Sequence, residues 1–303
     1  MLSHKILTGL LISALLASCK TPGRVIQHEN FPEFYKEGHR GARGLMPENT
    51  ISSMIKAVEV GANVIEMDIF TSRDGKVIVA HDAYINRNFS LLPGGNEIPA
   101  ADEKKYVLHQ MDYEEIRKFD VGSKYYDAFP GQKKLVAHIP LLSELIDSVE
   151  NYTTNRGLQP IIYNIELKTA ITNDSAYNAN PKELVNAVMQ VIAEKKIGNR
   201  FYIQSFDVRP LQYIHQEHPG VSVGFLTGSD RSFEKNIEAL GFRPHIYSPY
   251  FSLVNPGLIQ KCRDQNIRVV PWTVNTVNDM KRMESMGVDG IITDYPDYLQ
   301  AIN

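Results

Sequence analysis

Three carboxylates stand on two apolar segments that have the composition of buried β-strands. Glu66 and Asp68 belong to the segment 64–70, and Glu166 ends the segment 161–166. When parallel strands close into a barrel, the side chains at their carboxyl ends meet at one face. Carboxylates offer only hard oxygen ligands, which Ca²⁺ and Mg²⁺ prefer and Zn²⁺ does not. The sequence therefore predicts one divalent metal, Ca²⁺ or Mg²⁺, bound by Glu66, Asp68 and Glu166.

Two histidines and two cations stand at similar places. His39 and Arg40 end a first strand predicted over 38–40, His81 ends another over 77–81, and Lys168 follows Glu166 by two residues. Imidazoles exchange protons near neutral pH. Arg40 and Lys168 carry the charge that binds anionic phosphate oxygens. Together with a metal, these side chains indicate acid/base chemistry on a phosphate group.

A short connection fixes how two of these segments should pair. Residues 71–76 are too few for a crossover between parallel strands, and Asp74-Gly75 is typical of a two-residue hairpin turn. A turn centred between these two residues would place Asp68 opposite His81 in an antiparallel pair, with Glu66 on the same face.

The elements that must position these residues alternate between strand and helix. Helices are predicted over 49–62 and 181–196, with apolar residues at helical spacing. With one strand used in the hairpin, eight parallel strands remain, which predicts a (β/α)8 barrel. A doubly wound open sheet is the alternative, but no glycine-rich dinucleotide fingerprint follows the first strand. The predicted strands are 38–40, 64–70, 77–81, 161–166, 201–205, 221–226, 245–247, 269–272 and 290–293.

The amino terminus has the features of a secretory signal. Lys5 precedes an apolar run, 6–17, that is too short to span a bilayer comfortably. The run ends in Leu16-Ala17-Ser18-Cys19, which resembles a bacterial lipobox, and the alternative is a plain signal peptide with an incidental cysteine. We expect a signal peptide over 1–18, a lipidated Cys19 opening a tether over 19–35, and one catalytic domain over 36–303. This predicts a membrane-anchored lipoprotein of the cell envelope, outside the cytoplasm.

Composition limits the classes of function. Of 303 residues, 43% are hydrophobic and 22% charged, which is typical of a globular protein. The net charge is -3 and no basic block occurs, which argues against a nucleic-acid partner. A small-molecule substrate is expected, and no protein partner is inferred. With Cys19 lipidated, Cys262 is the only other cysteine, so no intramolecular disulfide is expected.

Seven runs together resemble the glycerophosphodiester phosphodiesterase family, in family order from about residue 37 to 296. The resemblance implies a (β/α)8 barrel, a divalent metal, and cleavage of a glycerophosphodiester into glycerol 3-phosphate and an alcohol. The runs are 39–50, Glu66-Met67-Asp68, His81-Asp82, Ile165-Glu166-Leu167-Lys168, Gln204-Ser205-Phe206-Asp207, Trp272-Thr273-Val274-Asn275 and 287–294.

The resemblance also implies roles for single residues. His39 and His81 match the acid/base pair, and the three carboxylates match the metal ligands. Arg40 and Lys168 match phosphate contacts, whose alternative is ordinary ion pairing. Trp272 matches an aromatic side chain that lines the glycerol pocket, or it is a core aromatic. Gln204 either reaches the pocket or only ends its strand, and Asp294 is interpreted as a structural cap of the closing loop rather than a catalyst.

An insertion over about 83–142 matches the position of the family's cap. It is long enough for short helices such as 112–119, and a role in choosing the alcohol is expected. Two other functions remain open from the sequence: a barrel phospholipase acting on phospholipids or lysophospholipids at the membrane, and a non-catalytic binding lipoprotein. The nucleophile, water or the glycerol 2-hydroxyl, also remains open.

Overall fold

The computed structural model describes residues 31–174, 176–228 and 231–302. The predicted signal peptide, Cys19 and the tether up to residue 30 lie outside these residues. Within the described part of the chain, no helix is long and apolar enough to cross a bilayer.

Among the described residues, eight parallel strands form the barrel. The strands are β1 (Tyr35–Gly38), β2 (Val64–Thr71), β4 (Ile162–Leu167), β5 (Phe201–Ser205), β6 (Val223–Thr227), β7 (Ile246–Pro249), β8 (Arg268–Val269) and β9 (Gly290–Thr293). They are hydrogen-bonded in the order β8-β7-β6-β5-β4-β2-β1-β9. Between β8 and β9 the ring is closed by backbone hydrogen bonds, from Asp289 N to Val269 O (2.8 Å) and from Ile292 N to Pro271 O (3.0 Å). The prediction of a (β/α)8 barrel is confirmed.

Helices cover the outside of the ring because each buries an apolar stripe against the strands. Thr50 caps the first helix by accepting a hydrogen bond from Ser53 N (3.2 Å). The helix predicted over 181–196 ends one residue earlier, and the helix predicted over 49–62 is shorter at both ends. The helices are α1 (Ile51–Glu59), α2 (Tyr113–Ile116), α3 (Leu142–Asn155), α4 (Pro181–Lys195), α5 (Val208–Glu217), α6 (Phe233–Leu240), α7 (Pro256–Arg263) and α8 (Val277–Met286).

The hairpin has a different register from the one predicted. The strand β3 (Val77–Val79) pairs antiparallel with β2, with Ile69 opposite Val79, so Asp68 faces Ala80 and not His81. The turn has three residues instead of two, because Ser72 N donates to Lys76 O (3.0 Å) and Gly75 takes φ 73°. A type I turn followed by a left-handed residue has this form. His81 thus lies beyond the paired residues.

The first strand ends before His39, two residues earlier than predicted. Arg40 (φ 51°) and Gly41 (φ 80°) are both left-handed, so the chain leaves the strand direction here. A Cβ on Gly41 would lie 2.5 Å from the backbone carbon of Ser53, so only glycine fits. The strand β8 also ends early, before Pro271, which has no N–H for a ladder.

The inserted segment 83–142 contains α2 and two short 3-10 turns, Ala100–Asp102 and Leu108–Gln110. The predicted helix over 112–119 is therefore only four residues long. Apolar side chains of the insertion pack on Phe70 and Ile78 of the hairpin and form a core separate from that of the barrel. This second core fixes the insertion beside the carboxyl end of β2 and its antiparallel partner β3.

The amino end of the barrel is closed by aromatic rings. Tyr35 and Tyr202 lie inside the ring at 6.1 Å between centroids, and Phe31 packs on both from outside. One layer above, the buried Glu37 accepts hydrogen bonds from the Tyr202 hydroxyl (2.8 Å) and from Asn164 Nδ2. A carboxyl group is therefore enclosed in the barrel without an ion pair among these contacts.

We predict that Glu37 makes stability fall as pH rises. Burial raises the pKa of Glu37 to about 7, although hydrogen bonds from Asn164 and Tyr202 oppose the rise. Between its ordinary pKa of 4.5 and about 7, the native state holds a proton that the unfolded chain has lost, so the free energy of unfolding declines over this range. Wild type should lose stability relative to Glu37→Gln between pH 4.5 and 7.5, measured by urea unfolding.

Glu150 provides a control of opposite sign. Burial would raise the pKa of its carboxyl group, but hydrogen bonds from Arg200 (2.5 and 2.9 Å) outweigh burial and lower it. The free energy of unfolding of Glu150→Gln should lie below that of wild type, and this difference should become smaller as the pH is lowered. If the difference in free energy of unfolding between wild type and Glu37→Gln were constant with pH, the prediction for Glu37 would be contradicted.

Candidate active site

The three predicted metal ligands meet at the carboxyl end of the barrel. Asp68 and Glu166 are neighbours across the parallel pair of β2 and β4, and Glu66 precedes Asp68 on the same inward face. One carboxylate oxygen from each lies within 4.8 Å of the others, and all three residues are buried. The period of two along β2 places Glu66 and Asp68 together, and the register of β4 adds Glu166.

These carboxylates are electrostatically unequal. Burial raises the pKa of Glu66 well above its ordinary range, and the neighbouring Asp68 and Glu166 reinforce this. Burial would also raise the pKa of Asp68, but the positive charges of Lys168, His81 and Arg40 hold it low. Glu66 Oε1 and Asp68 Oδ1 are buried and have no hydrogen-bond partner. Buried carboxylate oxygens that lack a hydrogen-bond donor, beside a third carboxylate, fit a hard divalent cation.

The two predicted phosphate contacts are ion-paired with carboxylates. Arg40 Nη1 donates to Glu48 Oε1 (2.8 Å), and Arg40 Nε lies 3.4 Å from Asp68 Oδ2. Lys168 Nζ donates to Glu166 Oε1 (2.8 Å) and lies 3.5 Å from Asp68 Oδ1. Both cations therefore border the acidic cluster, where they balance its charge. Their contact with phosphate remains a prediction.

Each predicted acid/base histidine is held by a carboxylate at Nδ1. His39 Nδ1 lies 2.7 Å from Asp294 Oδ1, and His81 Nδ1 lies 3.1 Å from Asp82 Oδ1. A carboxylate can only accept, so Nδ1 carries the proton and Nε2 is left to exchange protons with a substrate. Burial lowers the pKa of His39, partly offset by Asp294.

Asp294 has a role that sequence analysis missed. Besides holding His39, it accepts a hydrogen bond from Asn275 Nδ2 (2.7 Å). Burial alone would raise its pKa, but His39 and Arg43 outweigh burial and lower it. The interpretation of Asp294 as a loop cap was therefore incomplete, because its side chain orients an imidazole. Its place directly after β9, at the catalytic end of a barrel strand, was the available signal.

Asn49 is a second missed residue. The sequence predicted Asn49 as the first residue of a helix, whereas the helix begins at Ile51 and is capped by Thr50. Asn49 Nδ2 instead donates to Asp68 Oδ2 (2.8 Å), while Asp68 N donates to Asn49 Oδ1 (3.3 Å). This reciprocal pair fixes the orientation of a predicted metal ligand.

Comparison with known proteins agrees with this geometry. The profile of the Glycerophosphoryl diester phosphodiesterase family matches residues 39–298. The chain belongs to this family. A glycerophosphodiester phosphodiesterase of Caldanaerobacter subterraneus subsp. tengcongensis is 30% identical over 261 residues, covering 86% of this chain and 94% of that protein. The resemblance inferred from the seven runs is confirmed, and the chain is an enzyme of the phosphoric diester hydrolase class.

Two solved structures share the fold. A crystal structure from Silicibacter pomeroyi DSS-3, provisionally named a glycerophosphoryl diester phosphodiesterase, superposes with a TM-score of 0.78 at 30% identity, covering 89% of this chain and 94% of that one. An Oleispira antarctica phosphodiesterase in complex with the product sn-glycerol-3-phosphate has a TM-score of 0.70 at 21% identity, covering 89% and 96%. At 21% identity, the similarity to the Oleispira antarctica structure supports the barrel fold of this chain.

The two remaining predicted residues of this phosphodiesterase lie on β5 and after β8. Gln204 is buried beside Glu166 in the register, and its Oε1 has no hydrogen-bond partner. Trp272 donates from Nε1 to Ser248 O (2.9 Å), and its ring meets Phe206 (5.2 Å) and Tyr250 (5.4 Å) edge-on. Trp272 also packs on the apolar layer inside the barrel. The core contact is therefore observed, and the ring forms an aromatic wall with Phe206 and Tyr250. That this wall lines a glycerol pocket remains a prediction.

A cavity of about 380 Å³ opens beside the acidic cluster. Glu166, Lys168 and His81 line it on the barrel side. Tyr84, at the start of the insertion, and Phe206, after β5, line the outer part. The phosphodiesterase thus has room for a small ester directly beside Glu166, Lys168 and the imidazole of His81.

Proposed function

We propose that the protein hydrolyses glycerophosphodiesters to glycerol 3-phosphate and an alcohol, using one divalent metal and acid/base catalysis by His39 and His81. Glu66, Asp68 and Glu166 would hold the metal, which is Ca²⁺ or Mg²⁺ by the chemistry of its ligands. One observation carries the proposal: two imidazoles, each held at Nδ1 by a carboxylate, accompany a buried carboxylate cluster in which Glu66 Oε1 and Asp68 Oδ1 have no hydrogen-bond partner.

In this proposal the carboxylates bind the metal, and the basic side chains bind the phosphate. A bound divalent cation supplies Lewis-acid stabilisation of the phosphate and neutralises the carboxylates. Lys168 and Arg40 border the cluster, and we expect their N–H groups to donate to anionic phosphate oxygens. Gln204 and Trp272 would then contact the substrate from β5 and the aromatic wall.

The histidines would transfer the protons. Burial of His39, whose side chain is 13% exposed, favours its neutral form, which suits removal of a proton from the nucleophile. His81 is more exposed, at 31%, and would protonate the leaving oxygen. A diester that lacks the glycerol 2-hydroxyl tests the nucleophile. Full turnover would exclude attack by that hydroxyl, and loss of turnover would favour a cyclic phosphate intermediate.

A substrate panel tests the function. Release of glycerol 3-phosphate should be detected from glycerophosphocholine, glycerophosphoethanolamine or glycerophosphoinositol, with the double variant H39A/H81A as background. Turnover of lysophosphatidylcholine without turnover of any deacylated diester would favour the phospholipase alternative. Binding without turnover of either class would favour a binding lipoprotein.

The proposed site of action is the cell envelope, outside the cytoplasm, with Cys19 as the lipid attachment point. Several acyl chains contribute about 0.8 kcal/mol per buried methylene, which is enough to hold a domain at a membrane. Cys19→Ser should move the protein from the membrane fraction to the soluble or uncleaved fraction, read by fractionation and mass spectrometry. A protein beginning at Phe31 should still hydrolyse soluble diesters. Membrane retention of Cys19→Ser after confirmed signal cleavage would refute the anchor.

A further inference from the structure

Arg43 lies where the loop between β1 and α1 meets the insertion, and the proposed mechanism gives it no role. Its guanidinium reaches four groups at once. Nε donates to Glu48 Oε2 (2.6 Å), Nη1 lies 3.9 Å from Asp294 Oδ1, and Nη2 donates to the Tyr126 hydroxyl (3.4 Å). The central carbon lies 4.5 Å from the centroid of the Phe129 ring.

On the barrel side, Arg43 shares both of its carboxylates with proposed active-site residues. Glu48 is buried, and its other oxygen, Oε1, accepts from Arg40 Nη1 (2.8 Å). Asp294 Oδ1 is the atom that accepts from His39 Nδ1 (2.7 Å). A shift of the Arg43 side chain would therefore move the partners of Arg40 and of His39 together.

On the insertion side, Arg43 meets a compact aromatic and amide surface. Tyr126 and Phe129 pack against each other at 5.6 Å between centroids. Gln132 Nε2 donates to the backbone oxygens of Arg43 and Met46, both at 2.8 Å. The insertion thus holds both the side chain and the backbone of the loop that carries His39 and Arg40.

We propose that Arg43 is a positioning residue that couples the insertion to His39 and Arg40, so that the seating of the insertion sets the rate of the proposed reaction. The inference rests on the proposed function. Only a planar guanidinium supplies several N–H groups in fixed directions together with a flat face for an aromatic ring. Lysine keeps the charge but cannot donate to Glu48 and Tyr126 in this geometry while stacking on Phe129.

The test compares Arg43→Lys, Arg43→Gln, Phe129→Leu and the double variant R43Q/F129L. A misplacement of catalytic groups by about 1 Å can cost about 100-fold. We expect Arg43→Lys and Arg43→Gln to lower kcat about 10- to 100-fold with a smaller change in KM. Because Phe129 would act through Arg43, the double variant should be no slower than Arg43→Gln alone.

Arg117 provides the matched control. This insertion arginine also pairs with a carboxylate, Glu114 (3.4 Å), and also lies over an aromatic ring, Tyr113 (5.8 Å), but both of these partners belong to the insertion. Arg117→Gln should keep kcat within about twofold, since exposed ion pairs contribute little. Trypsin cleavage between the exposed Lys133 and Lys134 should accelerate in Arg43→Gln and not in Arg117→Gln.

Three results would overturn the coupling. The first is a wild-type kcat in Arg43→Lys. The second is a loss of kcat in R43Q/F129L that equals the product of the losses in the two single variants. The third is an unchanged rate of trypsin cleavage in Arg43→Gln. A loss of kcat that disappears at a temperature well below the unfolding midpoint would equally indicate a purely structural role. If wild type turned over no diester, the proposed function would fail, and the trypsin comparison would still decide whether Arg43 seats the insertion.

Discussion

Removal of divalent metal is expected to abolish hydrolysis of glycerophosphocholine, and Ca²⁺ or Mg²⁺ should restore it. The reason is the crowding of Glu66, Asp68 and Glu166, whose oxygens lie within 4.8 Å of one another and are buried. Lys168 and Arg40 compensate this charge only in part, since Glu66 Oε1 and Asp68 Oδ1 stay without a hydrogen-bond partner. Glu66 Oε1 and Asp68 Oδ1 would therefore help hold a dication, which would add positive charge to the cluster, and Lys168 and Arg40 would then be available to contact phosphate.

Single changes should separate metal binding from other effects. Asp68→Asn and Glu166→Gln keep the shape of the side chain but weaken its affinity for the cation, so turnover should become undetectable at micromolar metal. Calorimetric titration should show weaker binding, and the metal-induced rise in Tm of wild type should be lost. Glu150→Gln, on the outer surface with Arg200, is the control and should bind metal normally. Full activity in a metal-stripped sample would refute the assignment.

Replacement of His39 or His81 by alanine is expected to lower kcat about 10²- to 10⁴-fold, the usual worth of positioned proton transfer. Both imidazoles are fixed through Nδ1, so each removal leaves Asp294 or Asp82 in place without its imidazole. His215→Ala is the matched control. This imidazole lies in the last turn of α5, stacks on the ring of Phe242 (4.0 Å between centroids), and has no role in the proposed mechanism. The kcat of His215→Ala should remain near that of wild type.

The leaving group assigns the two roles. A nitrophenolate needs no proton to depart, so a nitrophenyl phosphodiester should rescue the variant that lacks the general acid. From the lower exposure and lowered pKa of His39, we expect rescue of His81→Ala and not of His39→Ala. Rescue of His39→Ala alone would reverse the assignment. Near-wild-type turnover of either variant on an alkyl diester would remove that histidine from the mechanism.

Local patterns in the sequence were sufficient to predict the barrel and the acidic cluster. The side-chain period of a strand puts Glu66 and Asp68 on one face, and parallel neighbours in a barrel share their catalytic end, which adds Glu166. The hairpin register was wrong by one residue because Asp-Gly occurs in both two-residue and three-residue turns. Only the hydrogen bond from Ser72 to Lys76 distinguishes them.

Long-range partners could not be predicted from the sequence. His39 and Asp294 are 255 positions apart, and no local pattern pairs them. Arg40 was expected at a strand end, but its left-handed backbone turns its N–H toward Glu66 Oε2 (2.7 Å) and its side chain toward Glu48. Such contacts arise from the closure of the ring and from the docking of the insertion, both of which depend on the whole chain.

Phe31, which packs under Tyr35 and Tyr202, also determines how the enzyme would be oriented. The chain enters the barrel at the pole opposite the acidic cluster, since β1 runs from Tyr35 at that pole toward His39 at the mouth. With Cys19 lipidated as proposed, only eleven residues would separate the anchor from this pole. A tether that stays compact would keep the closed floor toward the bilayer and the mouth toward the surrounding aqueous phase. Substrates would arrive by diffusion through that phase, which favours water-soluble diesters over phospholipids embedded in the anchoring membrane.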